Sequence, residues 1–369
     1  MNKTIRLTAL LAAVLTTAIL PAQTTLKEAV GKYSLIGSSL NQHQSAGLDA
    51  RCTAIMRTHF NTAVAENCMK MESLQPVEGV FSFAAADQFV NYCEQNGLVP
   101  IGHCLVWHSQ CPKWFHVGPD GKPVSREVLI QRIKTHIATV VGRYKGRIHG
   151  WDVVNEAIED DGSYRKSPFY NIIGEEFIDI AFEAAHAADP DAELYYNDYS
   201  MAQPGKRATV CRLVERLKRK GLRIDAVGMQ SHNGLKYPDL AEYEKSIQAF
   251  IAQGVKVNFT ELDVSVLPNP WEFSGAGIEQ NFQYDERLNP YKGGLPAEVQ
   301  QAFTERYMQF FRLYYKYRDH VGRINLWGVS DANSWLNDFP IHGRTNYPLL
   351  FDRDYQPKPV VNEIINLYR

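Results

Sequence analysis

Two stretches of the chain each end an apolar run on a glutamate. Ile148-His-Gly-Trp-Asp-Val-Val-Asn-Glu156 is rich in β-branched and aromatic residues, as a strand covered on both faces should be. Val255-Lys-Val-Asn-Phe-Thr-Glu261-Leu-Asp263 repeats the design. A carboxylate at the end of a buried strand is costly unless it has partners or a chemical task. Taken singly, either glutamate could be a structural acid in an ion pair. Two carboxylates on one face can do more. One protonates a glycosidic oxygen, and the other attacks the anomeric carbon or activates water. The question is whether the rest of the chain brings them to one face.

Strand and helix patterns alternate from Ser34 onward. The strands expected are Ser34–Leu40, Thr62–Asn67, Val99–Trp107, Ile148–Glu156, Glu193–Asn197, Ala226–Gln230, Val255–Asp263 and Ile324–Ser330. Helical patterns follow them. Ala84–Asn96 stops at Gly97, Ser125 caps the helix to Tyr144, Asp239 and Glu242 form a capping box, and Pro296 opens the helix to Tyr317. The last helix is Pro359–Tyr368. Strict alternation implies a parallel sheet with right-handed crossovers, and eight units at this length imply a single (β/α)8 TIM barrel of the α/β class. The long connections, Trp107–Val124, Asn155–Ile173 and Leu267–Leu295, all follow strands. They therefore lie on the carboxyl-end face, where such barrels carry their sites. Both glutamates are on that face.

The sequence has 369 residues, a formal net charge of −2 and 45% hydrophobic content. That supports a large core and offers no basic surface for a nucleic-acid partner. Lys3 and Arg6 precede an apolar run from Leu7 to Leu20, and Pro21-Ala22 supplies a small-residue cleavage site. Residues 1–22 are thus expected to be a signal peptide and residues 23–369 one catalytic domain. The run is short for a bilayer span. The mature protein is expected to be exported, periplasmic or extracellular, monomeric and free of the membrane. Export permits disulfides among Cys52, Cys68, Cys93, Cys104, Cys111 and Cys211, but the sequence does not choose a pairing.

Motifs occur in order at the strand ends. They are Glu66-Asn-Cys-Met-Lys70, then Gly102-His-Cys-Leu-Val-Trp-His108 with Gln110-Cys-Pro-Lys-Trp114. Trp151-Asp-Val-Val-Asn-Glu156, Asn197-Asp-Tyr199 and Gln230-Ser-His232 follow. Thr260-Glu-Leu-Asp263 and Trp327-Gly-Val-Ser-Asp331 with Ser334-Trp335 complete the set. This succession resembles the endo-β-1,4-xylanases of glycoside hydrolase family 10, from the second strand to the eighth. The resemblance implies xylan and xylo-oligosaccharides as substrates and a retaining mechanism without cofactor or metal. Glu156 would be the acid/base and Glu261 the nucleophile. His232 and Asp263 would form a hydrogen-bonded set that holds Glu261, and Asn155 would bind the sugar 2-hydroxyl. Glu66, Asn67, Lys70, His103 and Trp107 would hold the non-reducing-side sugars, with His108 and Gln230 close by. Trp327 and Trp335 would be sugar platforms, and Tyr199 would line the reducing side.

Three other readings are weighed against this one. Cys104, His108, Cys111 and His116 are spaced loosely like a zinc site, but His103 and His108 already belong to the sugar pattern. A sugar-binding barrel without chemistry would not need both glutamates and their His232–Asp263 support. A β-1,4-glucanase would share the mechanism, because the sequence does not give the space left for a hydroxymethyl group. The Leu267–Leu295 connection carries Trp271, Phe273, Phe282, Tyr284 and Tyr291, and either extends the cleft or packs on the rim.

Overall fold

The computed structural model describes residues 24–269 and 286–369. The expected signal peptide and most of the aromatic seventh loop, including Trp271, Phe273, Phe282 and Tyr284, lie outside the described residues.

Among the described residues there are nine strands: β1 Leu35–Leu40, β2 Thr62–Ala65, β3 Val99–Trp107, β4 Gly150–Asn155, β5 Glu193–Asp198, β6 Ala226–Met229, β7 His232–Gly234, β8 Lys256–Ser265 and β9 Val321–Leu326. All their pairings are parallel. Neighbours run β1 to β6 in sequence order, then β8 and β9, and β9 returns to β1. The sheet is therefore a closed barrel of eight strand positions. β7 is not a ninth position. The chain leaves β6, passes Ser231 at φ 67°, and β7 pairs only with the far end of β8, setting His232 opposite Asp263.

The helices pack outside. The Arg126–Arg143 helix buries Leu129, Ile133, Ile137 and Val140. Their spacing is one helical stripe, and each such side chain contributes about 1.5–3 kcal/mol when fully buried. Ser125 caps this helix, accepting a hydrogen bond from the Val128 amide. Inside the barrel lies a smaller apolar cluster that includes Val64, Ile101, Tyr195 and Ala226. Beside it an ion pair crosses the interior. Arg323 of β9 donates to Asp152 of β4 at 2.7 Å, with both side chains at most 2% exposed.

Several boundaries differ from the sequence reading. The last strand was expected at Ile324–Ser330 and is found at Val321–Leu326, because the chain turns at Gly328 with φ 130°. Asp239 caps its helix, but Glu242 does not return the bond. Its carboxylate pairs instead with Arg207 and Lys245. Pro296 is the residue before the helix rather than its first turn. A short helix, Pro168–Ile173, occupies the connection after β4, capped by Ser167. All six cysteines are free thiols.

Candidate active site

The backbone sets the two glutamates first. β4 and β5 are in register at Asn155 and Asn197. One residue on, Glu156 adopts φ 58°, a left-handed conformation unusual for a residue with a side chain. Its amide donates to the Asn197 carbonyl at 2.9 Å, and its carbonyl accepts from Arg165 Nε at 2.9 Å. Glu261 lies within β8, with its amide donating to the Gln230 carbonyl at 2.8 Å.

The carboxylates have unlike surroundings. Among the described residues Glu156, 8% exposed, accepts only from neutral donors: Trp107 Nε1 at 2.9 Å, Gln230 Nε2 at 3.0 Å and Asn155 Nδ2 at 3.3 Å. Glu261, 5% exposed, accepts from Asn197 Nδ2 at 2.8 Å and faces His232 Nε2 at 3.2 Å. Burial pushes the Glu261 carboxyl up. The His232 hydrogen bond, neighbouring His103, the His232 charge and Asn197 outweigh it and leave the group below its usual value. Asn197 Nδ2 also donates to Asn155 Oδ1 at 2.9 Å, so one amide joins the settings of both acids. Thr260 Oγ1 donates to Asn197 Oδ1 at 2.6 Å and fixes which way that amide faces.

His232 sits between two acids. Its Nδ1 lies 2.9 Å from Asp263 Oδ2, and the same oxygen accepts from Trp335 Nε1 at 2.9 Å. Burial pushes the imidazole down, but Asp263 and then Glu261 push it up to about 10. At neutral pH it is therefore a cation donating from both nitrogens. The Asp263–His232–Glu261 set expected from the sequence is present, and Trp335 is tied into it.

The remaining expected residues line the same cleft, which has a volume of about 790 Å³. Lys70 donates to Asn67 at 2.7 Å and to Gln110 at 2.8 Å, with its ammonium 5.0 Å from the Trp107 ring centre. Glu66 is beside them, its carboxyl pushed up by burial against the pull of Lys70 and Asn67. His103 Nδ1 lies 2.9 Å from Asp152, whose other oxygen holds Arg323. Trp327 meets the His103 ring edge-on at 5.3 Å. Trp335 stacks on Phe339 with centroids 4.9 Å apart. His108 is pushed down to about 4 by burial and by Arg165, so its ring is neutral. Tyr199 accepts from Arg165 at 2.5 Å and lies under Lys206, whose ammonium is 3.8 Å from the ring centre. Lys206 is fully buried and pairs with Asp198 and Asp160, each at 3.0 Å. Every site residue named from the sequence thus borders one cleft.

The sequence reading named Asn197 within a motif but gave it no task. Gln110, Thr260 and Asp152 were likewise named only within motifs, and Arg165 and Arg323, the partner of Asp152 behind His103, were missed. The loose zinc pattern does not converge. Cys104 is fully buried, and among the described residues no group of three or more His, Cys, Asp or Glu side chains is placed to hold a metal ion.

The model of glycosyl hydrolase family 10 matches residues 25–367. The chain belongs to glycosyl hydrolase family 10. It is a glycoside hydrolase with that family's barrel. It is 56% identical to endo-1,4-beta-xylanase A of Xylanibacter ruminicola over 351 residues, covering 95% of each chain. It is 39% identical to an endo-1,4-beta-xylanase of Geobacillus stearothermophilus, covering 93% of this chain and 98% of that one. Among solved structures, it is similar to a family 10 endoxylanase from a sugarcane soil metagenome, with TM-score 0.89 and 43% identity. That match covers 93% of this chain and 99% of the other.

Proposed function

We propose that this protein is an exported, monomeric endo-1,4-β-xylanase that cleaves xylan with retention through Glu156 and Glu261. The observation that carries the reading is the unlike setting of two adjacent buried carboxylates. Glu261 faces a cation, His232, and among the described residues Glu156 accepts from neutral donors alone. A nucleophile must be ionised when substrate arrives, and the cation beside Glu261 supports that state. The sequence similarity to named endo-1,4-beta-xylanases supplies the substrate class. The apolar leader Leu7–Leu20 supplies the argument for export.

In the first step Glu261 forms a bond to the anomeric carbon as the glycosidic C–O bond breaks. Glu156 gives its proton to the departing oxygen, so the leaving chain departs as a neutral alcohol. In the second step Glu156, now a carboxylate, takes a proton from water. The water oxygen bonds to the anomeric carbon, and Glu261 leaves as a carboxylate. Two inversions give net retention. Asn155, beside the acid/base, holds the 2-hydroxyl of the sugar at the cleavage point in this reading. His103, Lys70 and Asn67 serve the non-reducing side, and Tyr199 serves the reducing side. Trp327 and Trp335 offer flat faces for pyranose rings.

The test is product analysis on linear xylan beside a β-1,4-glucan, with the anomer followed by NMR during the first minutes. Short xylo-oligosaccharides released as the β-anomer are expected. Initial α-anomer would remove the nucleophile role from Glu261. Cleavage of the glucan alone would keep the mechanism and change the substrate.

A further inference from the structure

Glu156 does not hold its conformation by itself. Its φ of 58° is sparsely populated for a residue with a side chain, and such residues persist only where their surroundings over-determine them. Here the peptide groups on either side of it are held from two directions. From β5, the Asn197 carbonyl accepts from the Glu156 amide at 2.9 Å, and the Tyr196 hydroxyl accepts from the Ala157 amide at 3.1 Å. From the connection after β4, Arg165 Nε donates to the Glu156 carbonyl at 2.9 Å. This last bond has a charged donor, which makes it the strongest kind of the three.

The chain is folded so that Arg165 arrives there. After Glu156 it makes a tight return, with Ile158 bridging antiparallel to Tyr164 and the Glu159 amide donating to the Ser163 carbonyl at 2.8 Å. The Arg165 amide closes the return on the Ala157 carbonyl at 2.9 Å. The guanidinium then uses each of its nitrogens. Nε takes the Glu156 carbonyl, Nη1 lies 3.1 Å from the Glu159 carboxylate, and Nη2 donates to the Tyr199 hydroxyl at 2.5 Å. A planar fork bound to three separate acceptors is fixed in orientation. The Tyr199 ring is held as well, with the Lys206 ammonium 3.8 Å from its centre. Arg165 and Tyr199 both border the cleft.

We propose that Arg165 is a positioning residue for the acid/base: it locks the backbone of Glu156 and ties it to Tyr199, the residue that serves the leaving-group side. This rests on the xylan-cleaving reading above. Without the tie, the Glu156 carbonyl is free to turn and its carboxyl moves off the line to the glycosidic oxygen. Misplacement by about 1 Å can cost about 100-fold in rate. The loss falls on proton donation, because Glu261 and its His232–Asp263 support stand on β7 and β8.

The experiment measures kcat/KM, which reports the glycosylation step, on aryl β-xylobiosides. Their leaving groups run from dinitrophenol, which departs without a proton, to phenol, which gains from one. In Arg165→Gln the value is expected to stay near that of the wild type on the dinitrophenyl compound and to fall at least about 10-fold on the phenyl compound. Arg165→Lys, with one ammonium in place of the fork, is expected to fall between. An equal loss on every leaving group overturns the proposal and leaves Arg165 a packing residue, and so does no loss at all. Should Arg165→Gln not fold, Tyr199→Phe carries the test, because it deletes one hydroxyl and releases Nη2. A loss that grows toward phenol supports the tie, and an even loss overturns it. A wild type that cleaves none of the xylobiosides would instead count against the xylanase reading itself, so the two failures are distinct.

Discussion

Replacing His232 by Gln tests the electrostatic part of the site. Gln can still offer an amide N–H near the position of Nε2, but it carries no charge. In the native protein a cationic imidazole faces Glu261 at 3.2 Å and is held there by Asp263 at 2.9 Å. A hydrogen bond from a charged donor contributes about 1.5–3 kcal/mol, against about 0.5–1.5 kcal/mol for a neutral one. The difference, about 1–1.5 kcal/mol, corresponds to roughly one pH unit. Burial, which already pushes Glu261 upward, then meets less opposition. The acidic limb of kcat/KM should move up by about one unit. Activity lost at pH 5 should largely return near pH 7. The assay is kcat/KM between pH 4 and 8 on an aryl β-xylobioside whose leaving group needs no protonation. That choice isolates the ionisation of the nucleophile in the free enzyme. A uniform fall at every pH, with the limb unmoved, would refute the argument and leave His232 a packing residue. The same variant gives a second readout. Folding raises the His232 value to about 10 from about 6.5 unfolded. Its stabilisation is complete below about pH 6.5 and is lost as pH rises through about 10. The wild type should lose stability across that window more steeply than His232→Gln.

Two further outcomes follow from named contacts. Glu156→Ala should lower xylan turnover by at least about 100-fold, the low end for a general acid, yet spare glycosylation by substrates with activated leaving groups in single-turnover assays. Equal losses on both substrates would sink the acid assignment. Lys206→Met strands the fully buried Asp198 without its cation and should cost about 3–5 kcal/mol in denaturant unfolding. A change under about 1 kcal/mol would mean that the other donors to the Asp198 carboxylate, the Tyr196 hydroxyl and the Ile158 and Tyr199 amides, suffice for it.

The barrel was legible because its signals are local. Gly97 at φ 66° ends the Ala84–Asn96 helix at the expected residue, and Ser125 caps where its hydroxyl allows. The two glutamates were legible because each interrupts a buried run with a charge. Partnerships across the barrel were not. Asp152 and Arg323 are 171 residues apart, and only closure of β9 onto β1 sets them facing each other. Asn197 was visible in a motif, but its bridging position depends on the register of β4 against β5. Glu242 shows the opposite error. Its spacing from Asp239 reads as a capping box, yet Arg207 from the preceding helix attracts the carboxylate away. The Pro168–Ile173 helix is too short to show a periodicity.

The backbone of Glu156 has a bearing on how this protein can change. A residue with a side chain at φ 58° stores on the order of 1–3 kcal/mol, and glycine would relieve it. If Glu156 is the acid/base proposed above, heat tolerance and turnover select for different residues at this position. On that proposal, random libraries screened only for resistance to unfolding are expected to accumulate inactive clones altered at 156. A screen that measures product as well as survival keeps the strained conformer, and with it the chemistry.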